Sequence, residues 1–209
     1  MKVLAFNGSP RKEGNTFYAL QTVAKELETD GIEVEIVHVG GKTISGCMAC
    51  GACSRNKNER CIIENDDVNT WIQKMKEADG ILIGSPVHFS GISGAMKCFL
   101  DRAFYVASSD ILRHKVAAAV VAVRRSGGVT TFDQLNHYLH YAQMLVPSSN
   151  YWNVIHGAKS YEAAEDAEGV QIMQNLGKNM AWMLRMVEAT KDTVVEPVSD
   201  KKIYTNFVR

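Results

Sequence analysis

The stretch KVLAFNGSPRKEGNT, residues 2–16, decides the fold. It starts with a short apolar run from Val3 to Phe6, continues into a loop rich in glycine and polar donors, and leads into an amphipathic segment. A buried strand that turns directly into a helix leaves backbone N–H groups unpaired at the positive end of that helix, where anions bind. The stretch therefore predicts a first strand, an anion-binding loop and a first helix.

Strand and helix patterns alternate along the rest of the chain. We predict strands at 2–8, 32–39, 81–86, 115–123 and 151–157, and helices at 15–31, 66–80, 94–107, 129–145 and 167–189. Alternation of this kind calls for a parallel sheet covered by helices on both faces. The sequence therefore predicts an α/β domain over residues 1–190.

The tail, residues 191–209, breaks this pattern. It is either disordered or packed against another subunit. We favour the subunit contact because four apolar side chains of the tail are costly to leave in water. They are Ile203, Tyr204, Phe207 and Val208.

The composition is that of an ordinary globular domain, with 46% hydrophobic and 22% charged residues among 209. Lys plus Arg and Asp plus Glu balance at 23 each, which gives no reason to expect a nucleic acid or an anionic membrane as partner. The first apolar run is too short for a signal peptide, and no segment is long enough to span a bilayer. We therefore expect a cytoplasmic protein, in which stable disulfides are unusual.

The loop after the first strand, GSPRKEGNT at residues 8–16, departs from the two common nucleotide-binding motifs. A Walker loop needs a Lys where this chain has Asn15, and the G-x-G-x-x-G spacing of a dinucleotide fingerprint is absent. The donors that remain suit the terminal phosphate of a mononucleotide. They are Ser9, Arg11, Asn15 and Thr16. The alternative is a tight turn in which Thr16 only caps the helix.

Two further glycine-rich loops are expected beside the phosphate loop. GSPVHFSGISG, residues 84–94, follows the third strand, and RRSGGV, residues 124–129, follows the fourth. In a parallel α/β sheet the loops that leave the carboxyl ends of the strands gather at one edge, and ligands bind where the strand order reverses. The three loops are therefore predicted to form one site.

Taken together, GSPRKEGNT, GSPVHFSGISGAMKCFLDR and the Gly-Gly loop resemble the NADPH-dependent FMN reductase family of flavodoxin-fold proteins. The pattern Cys-x2-Cys-x2-Cys-x7-Cys, between the second strand and the next helix, is similar to that of the iron–sulfur flavoprotein branch. The resemblance extends over residues 1–128 and again over 165–178. It implies a flavodoxin-like three-layer αβα fold with a five-stranded parallel sheet in the order 2-1-3-4-5, and FMN at its edge.

The resemblance also implies roles for residues of all three loops. Those that would hold the phosphate of FMN are Ser9, Arg11, Asn15 and Thr16. Those that would border the isoalloxazine ring, largely through backbone donors, are Pro86, Val87, His88 and Phe89. The only candidate for a catalytic role is His88, which stands where many relatives have Tyr. A lone His is more often a structural hydrogen-bonding residue.

The third loop would approach the ring through Gly127 and Gly128. Reduced flavin carries excess negative charge, which backbone N–H groups and either Arg124 or Arg125 could stabilise. The alternative for these two arginines is a solvated pair with no contact to the flavin.

Four of the five cysteines lie within residues 47–61. Cys47, Cys50 and Cys53 recur at every third position among small residues, so a curled loop can turn their sulfurs inward, and Cys61 is near enough to provide a fourth. Four thiolates suit a [4Fe–4S] cluster, as the resemblance implies. Zinc, a redox disulfide and unmetallated thiols remain alternatives. The fifth cysteine, Cys98, is expected to be a small buried hydrophobic residue.

These features predict an FMN-dependent oxidoreductase. Its electron donor would be NAD(P)H, or ferredoxin if a cluster is present, and its acceptor a quinone, another flavin or another small molecule. One alternative is an electron carrier without a substrate of its own, and another is a non-redox protein whose cysteines bind zinc for assembly. Because relatives are commonly dimers or tetramers, a homodimer or homotetramer is expected.

Overall fold

Five parallel strands form the centre of the structure, a computed structural model that describes residues 1–107, 111–200, 202–205 and 207. They are β1 (Lys2–Asn7), β2 (Glu33–His38), β3 (Gly80–His88), β5 (Val116–Val123) and β6 (Val154–His156), and a short strand β4 (Gly91–Ile92) lies between β3 and β5 in the chain. The sheet order is β2-β1-β3-β5-β6, with β4 paired only to β3. The predicted order 2-1-3-4-5 is confirmed when β4 is set aside.

The sixth strand, β4, is a small difference from the five strands predicted. β3 continues past Pro86, turns at Phe89 and Ser90, and pairs back antiparallel with Val87 opposite Ile92. Both turn residues have positive φ, at 49° and 58°. A two-residue hairpin turn of this kind is usually marked by Asn-Gly or Asp-Gly, and the sequence carries neither here. The hairpin was therefore invisible to a pattern search.

Helices cover both faces of the sheet, as predicted. They are α1 (Asn15–Thr29), α2 (Ala52–Asn56), α3 (Val68–Glu77), α4 (Gly94–Ala107), α5 (Gly128–Tyr141) and α6 (Ala167–Thr190), with a 3-10 turn at Glu162–Glu165. One core joins α1 and α6 to the sheet, for example through Leu20 and Leu176. The other joins α3, α4 and α5 to the opposite face, for example through Trp71 and Phe99. The short α2, which lies among the cysteines of residues 46–62, was not predicted.

The burial of the strands follows their places in the sheet. All eight residues of β5 are buried, as expected for an apolar strand covered on both faces. By contrast, β2 lies at one edge, and all six of its residues are partly or fully exposed. Within the described residues, none of the helices combines the length and the apolar character that crossing a membrane would require.

The tail begins where α6 ends, at Thr190. It lies along the surface, where Glu196 Oε2 is 3.1 Å from His114 Nδ1 and Arg113 donates to the carbonyl of Pro197. The side chains of Ile203 and Phe207 are each 93% exposed. Val208, which the sequence prediction included, lies outside the described residues. The subunit contact of the tail stays a prediction.

Close packing of α1 against α6 positions the first helix, and hence the loop that precedes it. A Cβ on Gly177 of α6 would lie 2.8 Å from the carbonyl oxygen of Val23 and 2.7 Å from Cβ of Glu26, both on α1. Only a residue without a side chain permits this approach.

We predict that Gly177→Ala lowers the free energy of unfolding by about 1–3 kcal/mol, because the added methyl meets backbone of α1. The matched control is Gly94→Ala in α4, where no heavy atom lies within 4 Å of the added Cβ. The control should change stability by less than about 1 kcal/mol. Urea unfolding measures both, and equal stability of the two variants would contradict the close contact.

Candidate functional site

Hydrogen bonds and close contacts join the three predicted loops at the carboxyl ends of β1, β3 and β5. Gly8 N–H donates to the carbonyl of Gly84 at 2.8 Å, and the hydroxyl of Ser93 donates to the carbonyl of Gly8 at 2.6 Å. A Cβ on Gly127 would lie 2.7 Å from Oγ of Ser90, at the tip of the β3–β4 hairpin. The three loops therefore form one continuous rim.

Buried Asn7, at the end of β1, sets the shape of the phosphate loop. Its Oδ1 accepts from the N–H of Ser9 at 3.0 Å, and its Nδ2 donates to the carbonyl of Lys12 at 2.9 Å. Oγ of Ser9 accepts from the N–H of Arg11 at 3.1 Å, which tightens the same turn. Sequence reasoning missed Asn7. An amide directly after an apolar run and before Gly-Ser-Pro could have marked it.

The loop after β2 packs against the phosphate loop and was also missed. Nε2 of His38 lies 2.8 Å from the carbonyl oxygen of Ser9. A Cβ on Gly40 would lie 2.2 Å from that same oxygen, so the two backbones are in direct contact. The Gly40-Gly41 pair was the available signal, because adjacent glycines after a strand permit such an approach.

The first helix presents an uncapped N-terminus to this loop. Gly14 is the N-cap residue, no side chain caps the helix, and its first turn contains no acidic residue. Thr16 is buried at the second helical position, so the alternative in which Thr16 caps the helix is wrong. The unpaired N–H groups and the positive end of the helix dipole suit an anion.

The four residues predicted to bind phosphate surround this helix end. Ser9 and Thr16 are buried, whereas the side chain of Arg11 is exposed. Oδ1 of Asn15 accepts from the N–H of Ala163 at 3.2 Å, so Asn15 also contacts the loop after β6. The structure thus brings all four together, and Asn15 has a second, structural contact that the sequence did not indicate.

The second loop places its four predicted residues on the β3–β4 hairpin. Pro86 and Val87 are half-buried in β3, and His88 is exposed at its end. Phe89 is fully exposed at the turn, where its ring offers a flat apolar surface. Gln134 of α5 holds the hairpin, since its Oε1 accepts from Ile92 N–H and its Nε2 donates to the carbonyl of Ser90, each at 3.4 Å.

The third loop leads into α5 through two glycines. Gly127 has a φ of +86° and is the N-cap of α5, without a side-chain cap. Gly128 is buried, and it packs so closely against β6 that a Cβ there would lie 2.7 Å from Cγ1 of Val154. Arg124 and Arg125 are both exposed. The loop therefore presents backbone N–H groups and two exposed positive charges at the rim.

All four cysteines of the cysteine segment, residues 46–62, line one small cavity. They share it with apolar side chains such as Ile62, Tyr105 and Val106. Ala49 and Gly51 have positive φ, at 50° and 67°, so the backbone curls tightly between the cysteines. The N–H of Ala49 donates to Sγ of Cys47 at 3.4 Å.

The four thiols line one cavity, but within the described part of the chain no three His, Cys, Asp or Glu side chains are grouped so that they could hold a single metal ion. Zinc needs four sulfurs within about 2.3 Å of one point, whereas a [4Fe–4S] cluster binds each thiolate at a different iron. The chemistry of four thiols suits either group.

Arg102 of α4 connects the cysteine segment to the core and was not singled out from the sequence. Its guanidinium forms an ion pair with Asp66, and its Nε donates to Sγ of Cys61 at 3.3 Å. The fifth cysteine, Cys98, lies one turn earlier on α4 and is half-buried. The predicted burial of this residue is therefore only partial, and a Cβ on Gly46 would lie 3.7 Å from its Sγ.

A cavity of about 290 Å³ adjoins the rim beside β6. It is lined by the third loop and the start of α5, from Arg125 to Thr130, by residues in and just before the edge strand, and by the start of α6. Two of its lining residues are Asp166 and Glu168, and Tyr151 packs edge-on against Trp152 with ring centroids 4.4 Å apart. Because Asp166 and Glu168 offset Arg125 in this lining, the cavity is less suitable for a phosphate than the end of α1, whose first turn contains no acidic residue.

Asp166 caps the last helix and is held as a carboxylate. Its Oδ1 accepts from the N–H of Gly169 at 2.9 Å, and its Oδ2 accepts from the N–H of His156 at 2.7 Å. Partial burial favours the neutral form, but these N–H groups and the His156 ring outweigh it and lower the pKa of Asp166.

Comparison with known proteins identifies relatives of the whole chain. The family model described as NADPH-dependent FMN reductase matches residues 1–159. An iron–sulfur flavoprotein of Methanocaldococcus jannaschii is 34% identical over 195 residues, covering 90% of this chain and 100% of that protein. An iron–sulfur flavoprotein of Methanosarcina thermophila is 28% identical, covering 92% of this chain and 100% of that protein.

The fold is similar to that of solved flavodoxins. A flavodoxin from the domain Archaea superimposes with a TM-score of 0.60 at 16% identity, covering 88% of this chain and 99% of that one. The predicted flavodoxin-like α/β fold is therefore confirmed.

We predict that Asp166→Ala lowers the free energy of unfolding by about 1 kcal/mol at pH 7, because the cap of α6 is lost. A depressed pKa means that the carboxylate stabilises the fold above its ordinary pKa of 3.8 and loses this effect as pH falls through the folded value. The difference between wild type and Asp166→Ala should therefore shrink below about pH 4.

Urea unfolding at a series of pH values from 7 downwards tests this. Asp166→Asn is the matched control, since Asn also caps helices but does not ionise. Its difference from Asp166→Ala should not vary with pH. A gap between wild type and Asp166→Ala that stays constant into the acid range would contradict the assignment.

Proposed function

The chain belongs to the NADPH-dependent FMN reductase family, and we propose that it is an FMN-dependent oxidoreductase with a [4Fe–4S] cluster held by its cysteine segment. The observation that carries the flavin assignment is the junction of three loops around the uncapped end of α1. FMN supplies two-electron and one-electron chemistry once it is bound. The residues of the rim bind it, orient it and set its potential.

The phosphate of FMN is assigned to the end of α1. Ser9 and Thr16 offer hydroxyls, Asn15 an amide, Arg11 a mobile guanidinium, and the first turn offers unpaired N–H groups. The neighbouring cavity at β6 has Asp166 and Glu168 on its wall, which offset Arg125 there. The charge at the end of α1 therefore favours the phosphate more than the charge of that cavity does.

The isoalloxazine ring is assigned to the hairpin and the third loop. Pro86 to Phe89 and Gly127 to Gly128 place backbone on two sides of a space next to the phosphate loop. Backbone N–H groups there stabilise negative charge on the reduced ring, and Arg124 or Arg125 can add a positive charge. His88 is exposed at the end of β3 and is kept as a structural residue.

The cluster is assigned to Cys47, Cys50, Cys53 and Cys61. These four line one cavity, and all five cysteines of the chain are free thiols. Free thiols suit a reducing compartment, which agrees with a place in the cytoplasm. The two iron–sulfur flavoproteins found as relatives support the cluster by their names.

A second candidate function is an electron carrier without its own substrate. It is favoured by the position of the cysteine segment, where Cys47 and Cys50 are exposed and accessible to a protein partner such as ferredoxin. An enzyme should bleach its flavin with NADPH or NADH alone and then reduce a quinone. A carrier should do neither, yet should exchange electrons with a reduced protein. Both functions are compatible with a homodimer or homotetramer.

We predict that Gly40→Ala weakens FMN binding at least about 10-fold, because the added methyl would displace the phosphate loop at Ser9. The control is Gly46→Ala, whose Cβ would meet only Sγ of Cys98 at 3.7 Å, an ordinary contact. Fluorescence titration of apoprotein with FMN measures both affinities. Wild-type affinity in a folded Gly40→Ala protein would refute the role given to the loop after β2.

We also predict that Cys50→Ser loses iron, sulfide and the brown absorbance while it keeps FMN, because it lacks one of four thiolate ligands. Cys98→Ser is the matched control and should keep both cofactors. Anaerobic purification, iron and sulfide assays and visible spectra decide the outcome. Wild-type protein that binds FMN but takes up zinc and no iron would remove the cluster from the proposal and leave the flavin assignment intact.

A further inference from the structure

We propose that Arg102 positions Cys61 in the cluster site and raises the reduction potential of the cluster. This inference rests on the proposed cluster. It assigns a function to a buried charge on α4 that the flavin site does not use.

The guanidinium of Arg102 bonds only to the cysteine segment and to residues that flank it, among the contacts of the described residues. Nε donates to Sγ of Cys61, Nη1 to the carbonyl of Ser45 at 3.3 Å and to Asp66, and Nη2 to the carbonyl of Ile63 at 2.9 Å. These partners lie on both sides of the cysteines in the chain. One rigid planar group thereby holds the two ends of the segment in a fixed relation.

Burial makes this arrangement unusual. Arg102 is 1% exposed and is the largest fully buried side chain among the described residues. Its partner Asp66 has a side chain that is only 7% exposed. A buried ion pair of this kind is weak as a source of stability, since apolar residues of similar size often serve as well. Its presence therefore calls for a role other than packing.

The bond to sulfur indicates that role. Bonds from Arg102 to the two carbonyls and to the carboxylate of Asp66 would be enough to hold the cysteine segment. In addition, Nε–H donates to Sγ of Cys61, a proposed cluster ligand, at 3.3 Å. Hydrogen bonds to ligand sulfurs raise the reduction potential of iron–sulfur clusters, because reduction adds negative charge to the sulfurs. The carboxylate of Asp66, paired with Nη1, offsets the positive charge of the guanidinium. Arg102 therefore acts on Cys61 through the oriented N–H at Nε rather than through a net charge.

Among the described residues, Cys61 is the one cysteine of the segment that receives a side-chain donor from α4. Cys47 receives the backbone N–H of Ala49, and Cys47 and Cys50 are exposed. Cys53 and Cys61 are half-buried, and Cys61 lies against Arg102. The structure thus sets one corner of the proposed cluster site against a buried donor and leaves the side of Cys47 and Cys50 near solvent.

The test compares the wild type with a double variant, Asp66→Asn with Arg102→Met, which removes both charges so that neither is left buried and unpaired. Asn at 66 keeps an oxygen for the N–H of Val68, which Oδ1 of Asp66 accepts at 3.2 Å. The matched control is Lys97→Met with Asp101→Asn, a more exposed ion pair on the same helix, in which Asn at 101 keeps an oxygen for the hydroxyl of Tyr138. A third protein, Arg102→Lys, keeps the positive charge without the planar donor.

Four properties are measured under anaerobic conditions: circular dichroism, FMN content, the rate of iron loss to a chelator, and the midpoint potential of the cluster. The double variant should keep its fold and FMN, lose iron about 10-fold faster, and show a more negative potential. Arg102→Lys should lie between the double variant and the wild type. The control pair should match the wild type.

A folded double variant with wild-type iron retention and potential would overturn the inference, and Arg102 would then be a packing residue. If the double variant does not fold, Arg102→Lys decides the matter by the same two readouts, and wild-type values in it would likewise overturn the inference. Wild-type protein without iron would instead show that the proposed cluster is wrong, a result visible before any variant is made.

Discussion

The backbone of Gly8 is the junction on which the rim depends. Its N–H donates to Gly84 and its carbonyl accepts from Ser93, so the phosphate loop is bonded to both ends of the second loop. A Cβ at Gly8 would lie 2.8 Å from Cβ of Met96 and 3.0 Å from the carbonyl oxygen of Gly84, so the approach is possible only with glycine. Because one bond of this junction joins two peptide groups and the other is made by the hydroxyl of Ser93, which is buried, the anion site at the end of α1 is preorganised.

Helix α4 joins the two parts of the proposed redox site. Its first turns face the phosphate loop through Met96, and its later turns face the cysteine segment through Arg102 and Tyr105. With a rise of about 1.5 Å per residue, the part of the helix between Met96 and Arg102 spans about 9 Å. A single rigid element therefore sets the spacing between the flavin rim and the cysteines. The loop that carries the cysteines depends on α4 for its shape, since it contains only the five-residue helix α2.

Local sequence patterns predicted the strands of the sheet well, but they predicted the contacts between the loops poorly. The apolar runs of β1, β3 and β5 are unambiguous because central parallel strands are buried on both faces. The β3–β4 hairpin was missed because its turn residues, Phe89 and Ser90, are not typical of positive φ. His38 and Gln134 were missed because each acts on backbone that is distant in the chain, about which a periodic pattern carries no information. Asn7 acts on nearby backbone, but its role depends on a loop conformation that is not periodic.

The sequence by itself determined the alternation of strands and helices, the three glycine-rich loops, the strand order through its family resemblance, and the spacing of four cysteines. Apart from the strand order, these properties are local, because the period of burial, the ends of helices and the short loops depend on neighbouring residues. Only the tertiary structure decided that Gly40 touches Ser9, that Asn15 reaches the loop after β6, and that Arg102 faces Cys61. Such contacts depend on how rigid elements pack at close range, where a shift of one ångström makes or breaks a hydrogen bond.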